Sequence, residues 1–427
     1  MNMKRRHFLR LSAGTAGLTL IGATGKLPLA ADNQPETPIA KLKPMTQGIV
    51  PIADNERLAR LEKARQLMVE NKLDAICIEG GTNLFYFTGV NWWLSERVFV
   101  MILPAKGEAV WVAPKFEEDR ARELIRFGND IRTWEEDESP YKVIAAVCKD
   151  LGIRTGKIGI EEKTRFFVYD GLRKEAPALE YLSADPVTVA CRVIKSPAEL
   201  ALLQRANDIT VEAYKAAIAM LREGMSEDEF SVNAEAAFRA LGVAGGIGAS
   251  FGESSSFPHG SVIQRKLRVG DTVLMDGGCS VDEYNSDISR TIVFGKPSQR
   301  QRDIWDLEKE AQAAAFMAAK PGVSCEDVDA AARKIITRAG FGPDYKIPGL
   351  PHRTGHGIGL DGHEPLYLVR GNKAPMRPGM CFTNEPMIVI PGEFGIRLED
   401  DMLITENGAR YFTQPSPSIE QPFAGME

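Results

Sequence analysis

Histidine and cysteine are both scarce in this chain, at five and six of 427 residues. The cysteines, Cys77, Cys148, Cys191, Cys279, Cys325 and Cys381, include no CxxC pair. That leaves no disulfide framework readable from spacing. Mostly free, buried thiols that pack as small hydrophobes are expected instead. The first half holds no GxGxxG, and Gly80-Gly81 alone is not a nucleotide-binding loop. After residue 31, no apolar run is long enough to span a bilayer. Positive charge is also short: 52 Lys and Arg face 58 Asp and Glu, for a net −6. Such a surface argues against nucleic acid as the main partner. What remains, 44% hydrophobic and 26% charged, is ordinary for a globular enzyme, and the length allows two domains.

The amino terminus departs from the rest. Lys4-Arg5-Arg6-His7-Phe8-Leu9-Arg10 precedes a Gly/Ala/Leu run ending near Gly25, and Ala30-Ala31 offer small residues for cleavage. That order resembles a twin-arginine export signal over residues 1–31, with an uncleaved membrane anchor as the alternative. The mature protein would then be periplasmic, with no stable membrane insertion. Loss of the five basic residues of this stretch would take the net charge from −6 to −11. Residues 32–54, with Pro35, Pro38, Pro44 and Pro51, read as an extended linker.

From Asn55, helical spacing at Leu58, Leu61, Ala64, Leu67 and Met68 is followed by strand patterns at 73–78, 98–103, 109–113 and 157–160, with a helix near 116–127. This alternation predicts an α/β domain over residues 55–194. Trp92-Trp93 is either an exposed recognition loop or partly buried packing. The domain carries no catalytic constellation of its own, and a boundary is expected at Arg192–Pro197, before a long helix from Ala198.

The second domain, residues 195–420, is where chemistry concentrates. Asp276 and Asp287 stand eleven residues apart around a Gly/Asn-rich centre, which predicts a β-hairpin that brings them side by side. Glu385 and Glu399 flank Pro391-Gly392-Glu393-Phe394-Gly395, a second hairpin signal. His356 lies in His352-Arg353-Thr354-Gly355-His356-Gly357-Ile358-Gly359. Four carboxylates and one imidazole suit one or two divalent cations, and without metal such crowded like charges would repel. There is also an internal repeat: Gly224/Gly322, Ser226/Ser324, Phe230/Val328, Ala234/Ala332 and Gly242/Gly340 all match at an offset of 98. Ser226 and Ser324 read as helix N-caps, and each copy precedes one carboxylate hairpin. Two halves facing across a pseudo-twofold axis would bring four acids to one centre.

Asp276, Asp287-Ile288-Ser289-Arg290-Thr291, Gly355-His356-Gly357-Ile358-Gly359, Thr383-Asn384-Glu385-Pro386 and Arg397-Leu398-Glu399-Asp400 resemble the pita-bread metallopeptidases: aminopeptidase P, prolidase, methionine aminopeptidase and the metal-free relative creatinase. The likeness covers about residues 55–420. It implies a creatinase-like α/β amino-terminal domain and an α+β pita-bread catalytic domain. It also implies two divalent cations, manganese first and cobalt, iron or zinc as alternatives, together with a homodimer. All five ligand positions are filled, which speaks against the metal-free mechanism. The resemblance gives substrate-side roles to His259 and His363 and an orienting role to Arg397, whose bland alternative is an ion pair with Glu393 or Asp400. His352 reads as a packing residue near the site, and Asp400 and Asp401 as exposed or just behind it.

The implied reaction is hydrolysis of an Xaa-Pro amide bond at the amino terminus of dipeptides or short peptides. Asp287 and Glu399 would bridge the cations, Asp276 would complete one site, and His356 with Glu385 the other. Glu385 is assigned as general base, with His259 and His363 donating to the tetrahedral intermediate. One departure from the peptidase pattern, Ser250-Phe251-Gly252-Glu253-Ser254-Ser255-Ser256 before His259, opens a second reading. This is a metal-dependent lyase or hydrolase of a small osmolyte-like molecule, like the dimethylsulfoniopropionate lyases, with Glu253 either attracting a cationic group or simply solvated. A catalytically silent binding protein is the third reading.

Overall fold

Leu61, Ala64 and Met68 recur at helical spacing and form the buried stripe of α1 (Asp54–Glu70) in the computed structural model, which describes residues 37–425. The export-signal stretch and residues 32–36 lie outside the described residues. After α1 come β1 (Ala75–Glu79), α2 (Thr82–Thr88), β2 (Val100–Pro104), β3 (Val110–Pro114), α3 (Glu118–Leu124), β4 (Asp130–Trp134), α4 (Pro140–Asp150), β5 (Lys157–Ile160), α5 (Phe166–Glu175), β6 (Glu180–Ser183) and α6 (Asp185–Arg192). The strands form one sheet in the order β4-β3-β2-β1-β5-β6, antiparallel at β1–β2 and β2–β3 and parallel elsewhere. Every residue of β1, β2 and β3 is buried, as expected of central strands covered on both faces. The two tryptophans divide the roles expected of them. Trp92 stacks on Phe99 at 3.8 Å, while Trp93 is 79% exposed.

The segment expected as a linker packs instead of hanging free. Met45 N–H donates to Leu241 O (2.9 Å), buried Ile52 donates to Asp282 (3.4 Å), and Ile39, Leu42 and Ile49 lie against the core. Pro38 caps a short 3-10 helix (Ile39–Lys41), and the apolar residues fasten the described part, from Thr37, as a strap. All six cysteines are free and buried. No helix of the described residues is long and apolar enough to cross a membrane.

The catalytic half begins with α7 (Pro197–Ile218), α8 (Glu227–Leu241), β7 (Gly245–Phe251), β8 (Thr272–Val281), β9 (Tyr284–Asn285) and β10 (Ile288–Val293). It continues through α9 (Gln299–Ala318), α10 (Cys325–Arg338), β11 (Gly355–Gly357), β12 (Glu364–Leu368), β13 (Cys381–Asn384), β14 (Met387–Ile390), β15 (Phe394–Arg397), β16 (Asp400–Thr405) and β17 (Gly408–Tyr411). The repeat has a physical basis. Phe230 and Ala234 of α8, like Val328 and Ala332 of α10, are fully buried core residues. Ser226 caps α8 through Glu229 N–H, and Ser324 caps α10 through Asp327 N–H. Just before each cap, Gly224 donates to Leu267 O and Gly322 to Met376 O, at 2.8 and 2.9 Å. Both glycines hold a positive φ, 80° and 84°, which a side chain would strain.

Both carboxylate hairpins form. β8 pairs with β10, placing Asp276 opposite Ser289, and β14 pairs with β15. Ser289 and Glu399 then join the two hairpins by reciprocal main-chain hydrogen bonds of 3.3 and 3.1 Å. Thr291 and Arg397 add a second link, Thr291 Oγ1 to Arg397 O, at 2.8 Å. This seam is where the acids converge.

Candidate metal and catalytic centre

Each ligand position follows from local backbone. Asp276 lies within β8, and Asp287 immediately precedes β10. The turn between them is held tight because a Cβ on Gly278 would lie 1.9 Å from Ser286 O. Glu385 sits between β13 and β14, and Glu399 between β15 and β16. At those two points the second hairpin leaves one sheet for another. His356 is on β11, where the register with β12 shifts after it. The structure brings all five together. Donor atoms of Asp276, Asp287 and Glu399 lie within 4.8 Å of one another, as do those of His356, Glu385 and Glu399, and those of Asp287, His356 and His363.

The imidazole is set up as a neutral donor. His356 Nδ1 is 3.0 Å from Gly357 O, leaving the Nε2 lone pair 3.3 Å from Glu385 Oε1 and 4.0 Å from Asp287 Oδ2. Burial, and then the neighbouring His363, push its pKa down to about 3. The acids move the other way. Burial pushes Glu385 up to about 7 against the pull of Arg397. Burial, with the surrounding carboxylates adding to it, raises Asp287 and Glu399 well above the usual range. Arg397 is the only Lys or Arg within ion-pair distance of these four acids among the described residues, 2.5 Å from Asp276 and 4.0 Å from Glu399. Four carboxylates against one guanidinium leave an excess of negative charge in a buried, oxygen-rich cleft, and the donor set fits divalent cations.

Around these lie residues that sequence reading placed less well. Arg397 does not pair with Glu393 or Asp400: Glu393 holds Arg300, and Asp400 holds Arg290. Arg397 also donates to Ser289 Oγ (2.9 Å) and to Pro258 O (3.3 Å), next to His259. Of the two readings for Asp400 and Asp401, exposed or just behind the site, the structure bears out the second: both are fully buried, and Asp401 touches Asp287. Asp401 accepts from Asn207 and from Asp287 N–H, and burial pushes it up to about 8. Ser289, overlooked as a site residue, has its hydroxyl 3.0 Å from Asp276 and 2.5 Å from Glu399. Its one proton serves only one of them at a time. The available signal was the polar run Ser289-Arg290-Thr291 between Ile288 and Ile292, directly after Asp287.

His363 stacks on His356 at 3.7 Å, and exposed His259 lines a cavity of about 330 Å³ with Asp276 and Arg397. His352 is partly buried, its Nδ1 2.7 Å from Arg353 O, and burial lowers it to about 4. Glu253 pairs with Arg265 at 2.5 Å, and both side chains are partly exposed.

Comparison with known proteins agrees with this geometry. The model of metallopeptidase family M24 matches residues 201–406, and that of the creatinase/prolidase N-terminal domain matches residues 60–194. An Xaa-Pro dipeptidase of Pyrococcus furiosus is 33% identical over 83% of this chain and 97% of its own length. An uncharacterized peptidase of Schizosaccharomyces pombe is 35% identical over 85% of this chain and 82% of its own. Among solved structures, a dipeptidase from Mycobacterium ulcerans superposes with a TM-score of 0.80 at 30% identity, covering 87% of this chain and 99% of that one.

Proposed function

This chain belongs to metallopeptidase family M24, and from that premise we propose that it hydrolyses the Xaa-Pro amide bond of dipeptides or short peptides with two divalent cations. The observation that carries the reading is the pair of donor triads meeting at Glu399. One triad joins it to Asp276 and Asp287, the other to His356 and Glu385. Cations bound there would supply Lewis acidity and bring the pKa of water toward neutrality.

The chain's own residues do the rest. Glu385 takes a proton from the attacking water and passes it to the leaving nitrogen. His363, exposed beside His356, donates to the oxygen on which charge develops, and His259 lines the cavity that Asp276 and Arg397 share. Arg397 keeps Asp276 and Glu399 in place while tying down the loop of His259. The likeness to enzymes named Xaa-Pro dipeptidase supports a proline after the scissile bond. Manganese as the metal, a homodimer and export by the twin-arginine route complete the proposal. The Arg5-Arg6 run with its following apolar stretch supports the last.

The test is purified protein assayed with an Xaa-Pro dipeptide and a longer Xaa-Pro peptide, loaded in turn with Mn, Co, Fe and Zn. Cleavage before proline that disappears on chelation is expected. Absence of cleavage by folded, metal-loaded protein, or full activity after stripping, would refute the reading.

A further inference from the structure

His363 has no hydrogen bond to its ring among the described residues, and on its amino-terminal side a Cβ added to Gly362 would meet nothing within 4 Å. What holds the ring over His356 is therefore the backbone on either side, and both sides are anchored through charge. Glu364, the next residue, is 2% exposed and begins β12, which pairs back onto Gly357 beside His356. Its carboxylate receives Lys195 Nζ at 2.8 Å, the Arg192 guanidinium, and Asp361 N–H at 3.3 Å. Asp361, two residues before His363, receives Arg192 Nη2 at 2.8 Å, Lys163 Nζ at 2.6 Å and the Thr82 hydroxyl at 2.7 Å. Arg192 also reaches back to Asn83 Oδ1 at 3.1 Å. Thr82, Asn83, Lys163 and Arg192 all belong to the amino-terminal domain, which carries no ligand of the metal centre.

We propose that Arg192 is a positioning residue for His363: by tying Asp361 and Glu364 to the first domain, its forked guanidinium fixes the imidazole over His356 and makes that domain part of the catalytic apparatus. The proposal rests on the reading that His363 donates to the substrate. The fork matters because one guanidinium serves Asn83, Asp361 and Glu364 from donors held rigidly in one group, whereas the three donors of an ammonium rotate on a flexible stem.

The experiment compares wild type, Arg192→Lys, His363→Ala and the double variant, each with measured metal content, kcat and KM on an Xaa-Pro dipeptide. Arg192→Lys keeps the charge, so the buried Glu364 retains a cation. It is expected to lower kcat by about tenfold to a hundredfold, the cost of a displacement of about 1 Å, with KM and metal content nearly unchanged. The double variant should be no slower than His363→Ala, because both act through one ring. Losses that multiply in the double variant, or an unchanged kcat in Arg192→Lys, would overturn the proposal. Glu364→Gln, which keeps side-chain volume, should show the same pattern if Arg192→Lys folds poorly. A second readout is independent of turnover: the ring resonance of His363 in histidine-labelled protein, identified by its loss in His363→Ala, should move in Arg192→Lys as the stack opens. A resonance that stays in place would overturn the proposal even where no peptide is cleaved, whereas a wild-type enzyme inactive on every Xaa-Pro peptide refutes the peptidase reading alone.

Discussion

Replacing Asp287 by asparagine should leave the metal-free protein as stable as wild type or more so, yet make the cation-loaded protein less stable. The opposite signs come from one arrangement. Without a cation, Asp287 sits among Asp276, Glu385, Glu399 and Asp401, and its neighbour at ion-pair distance is His356, 4.0 Å away and kept neutral by burial. Two unit charges 4 Å apart repel by about 4 kcal/mol at an effective dielectric of 20, an upper bound because the native state relieves part of it by keeping a proton. An isosteric amide removes that repulsion, so a gain of about 0–2 kcal/mol is expected in chelator.

With cation at one hundred times its dissociation constant, wild type gains about 2.7 kcal/mol by mass action, whereas a variant with hundredfold weaker affinity gains about 0.4 kcal/mol. At about 1 °C per kcal/mol for a chain of this size, the wild-type midpoint rises about 3 °C and that of the variant about 0.5 °C. Thermal melts of both proteins, first in chelator and then across a manganese titration, read these differences directly. An Asp287→Asn protein that melts more than about 2 °C below wild type in chelator, or that gains as much from manganese as wild type does, would refute the reasoning.

Three further outcomes follow from the same centre. Asp287, Glu399 and Glu385 all have folded pKa values above their unfolded ones, Glu385 reaching about 7, so these groups hold more protons in the native metal-free chain than in the unfolded one above about pH 4. His352 and His356, lowered to about 4 and about 3, act in the opposite direction, but only below about pH 6.5, where an unfolded histidine is protonated. Stability in chelator should therefore fall as pH rises from about 6.5 toward 8, while cation affinity, measured by calorimetry, should rise over the same range. Metal-free protein that is more stable at about pH 8 than at about pH 6.5 would contradict this. Glu385→Gln should cut kcat by about 10²–10⁴ as the proton acceptor is lost. Turnover within a few-fold of wild type would remove Glu385 as the general base. Gly278→Ala should cost about 1–3 kcal/mol by forcing the hairpin open against Ser286, and should weaken cation binding because Asp287 moves with that strand. A melt and a metal titration at wild-type values would show the close approach to be unimportant.

What the sequence made legible was the part of the site built by local chain geometry. Asp276 with Asp287, and Glu385 with Glu399, announce themselves because each pair flanks turn residues inside one hairpin, and a hairpin's register is decided within a dozen residues. The capped helices α8 and α10 were visible for the same reason, through Ser226 and Ser324 and an apolar face repeated at a constant offset. Partners fixed by the register between hairpins were not. Arg397 invited pairing with its sequence neighbours Glu393 and Asp400, but the Ser289–Glu399 seam turns it toward Asp276, more than a hundred residues away. The same seam buries Asp400 against Arg290, a full charge inside a strand that reads as surface until its partner is known. Arg192 belongs to this class as well. A basic residue at the end of a helix beside a domain boundary looks like an ordinary junction, and only the fold of both domains brings it to the two acids that bracket His363. Local pattern thus reveals which residues can bind metal. The long-range seams decide how the centre is braced, and for that reason the positioning residues are where mutagenesis will be most informative.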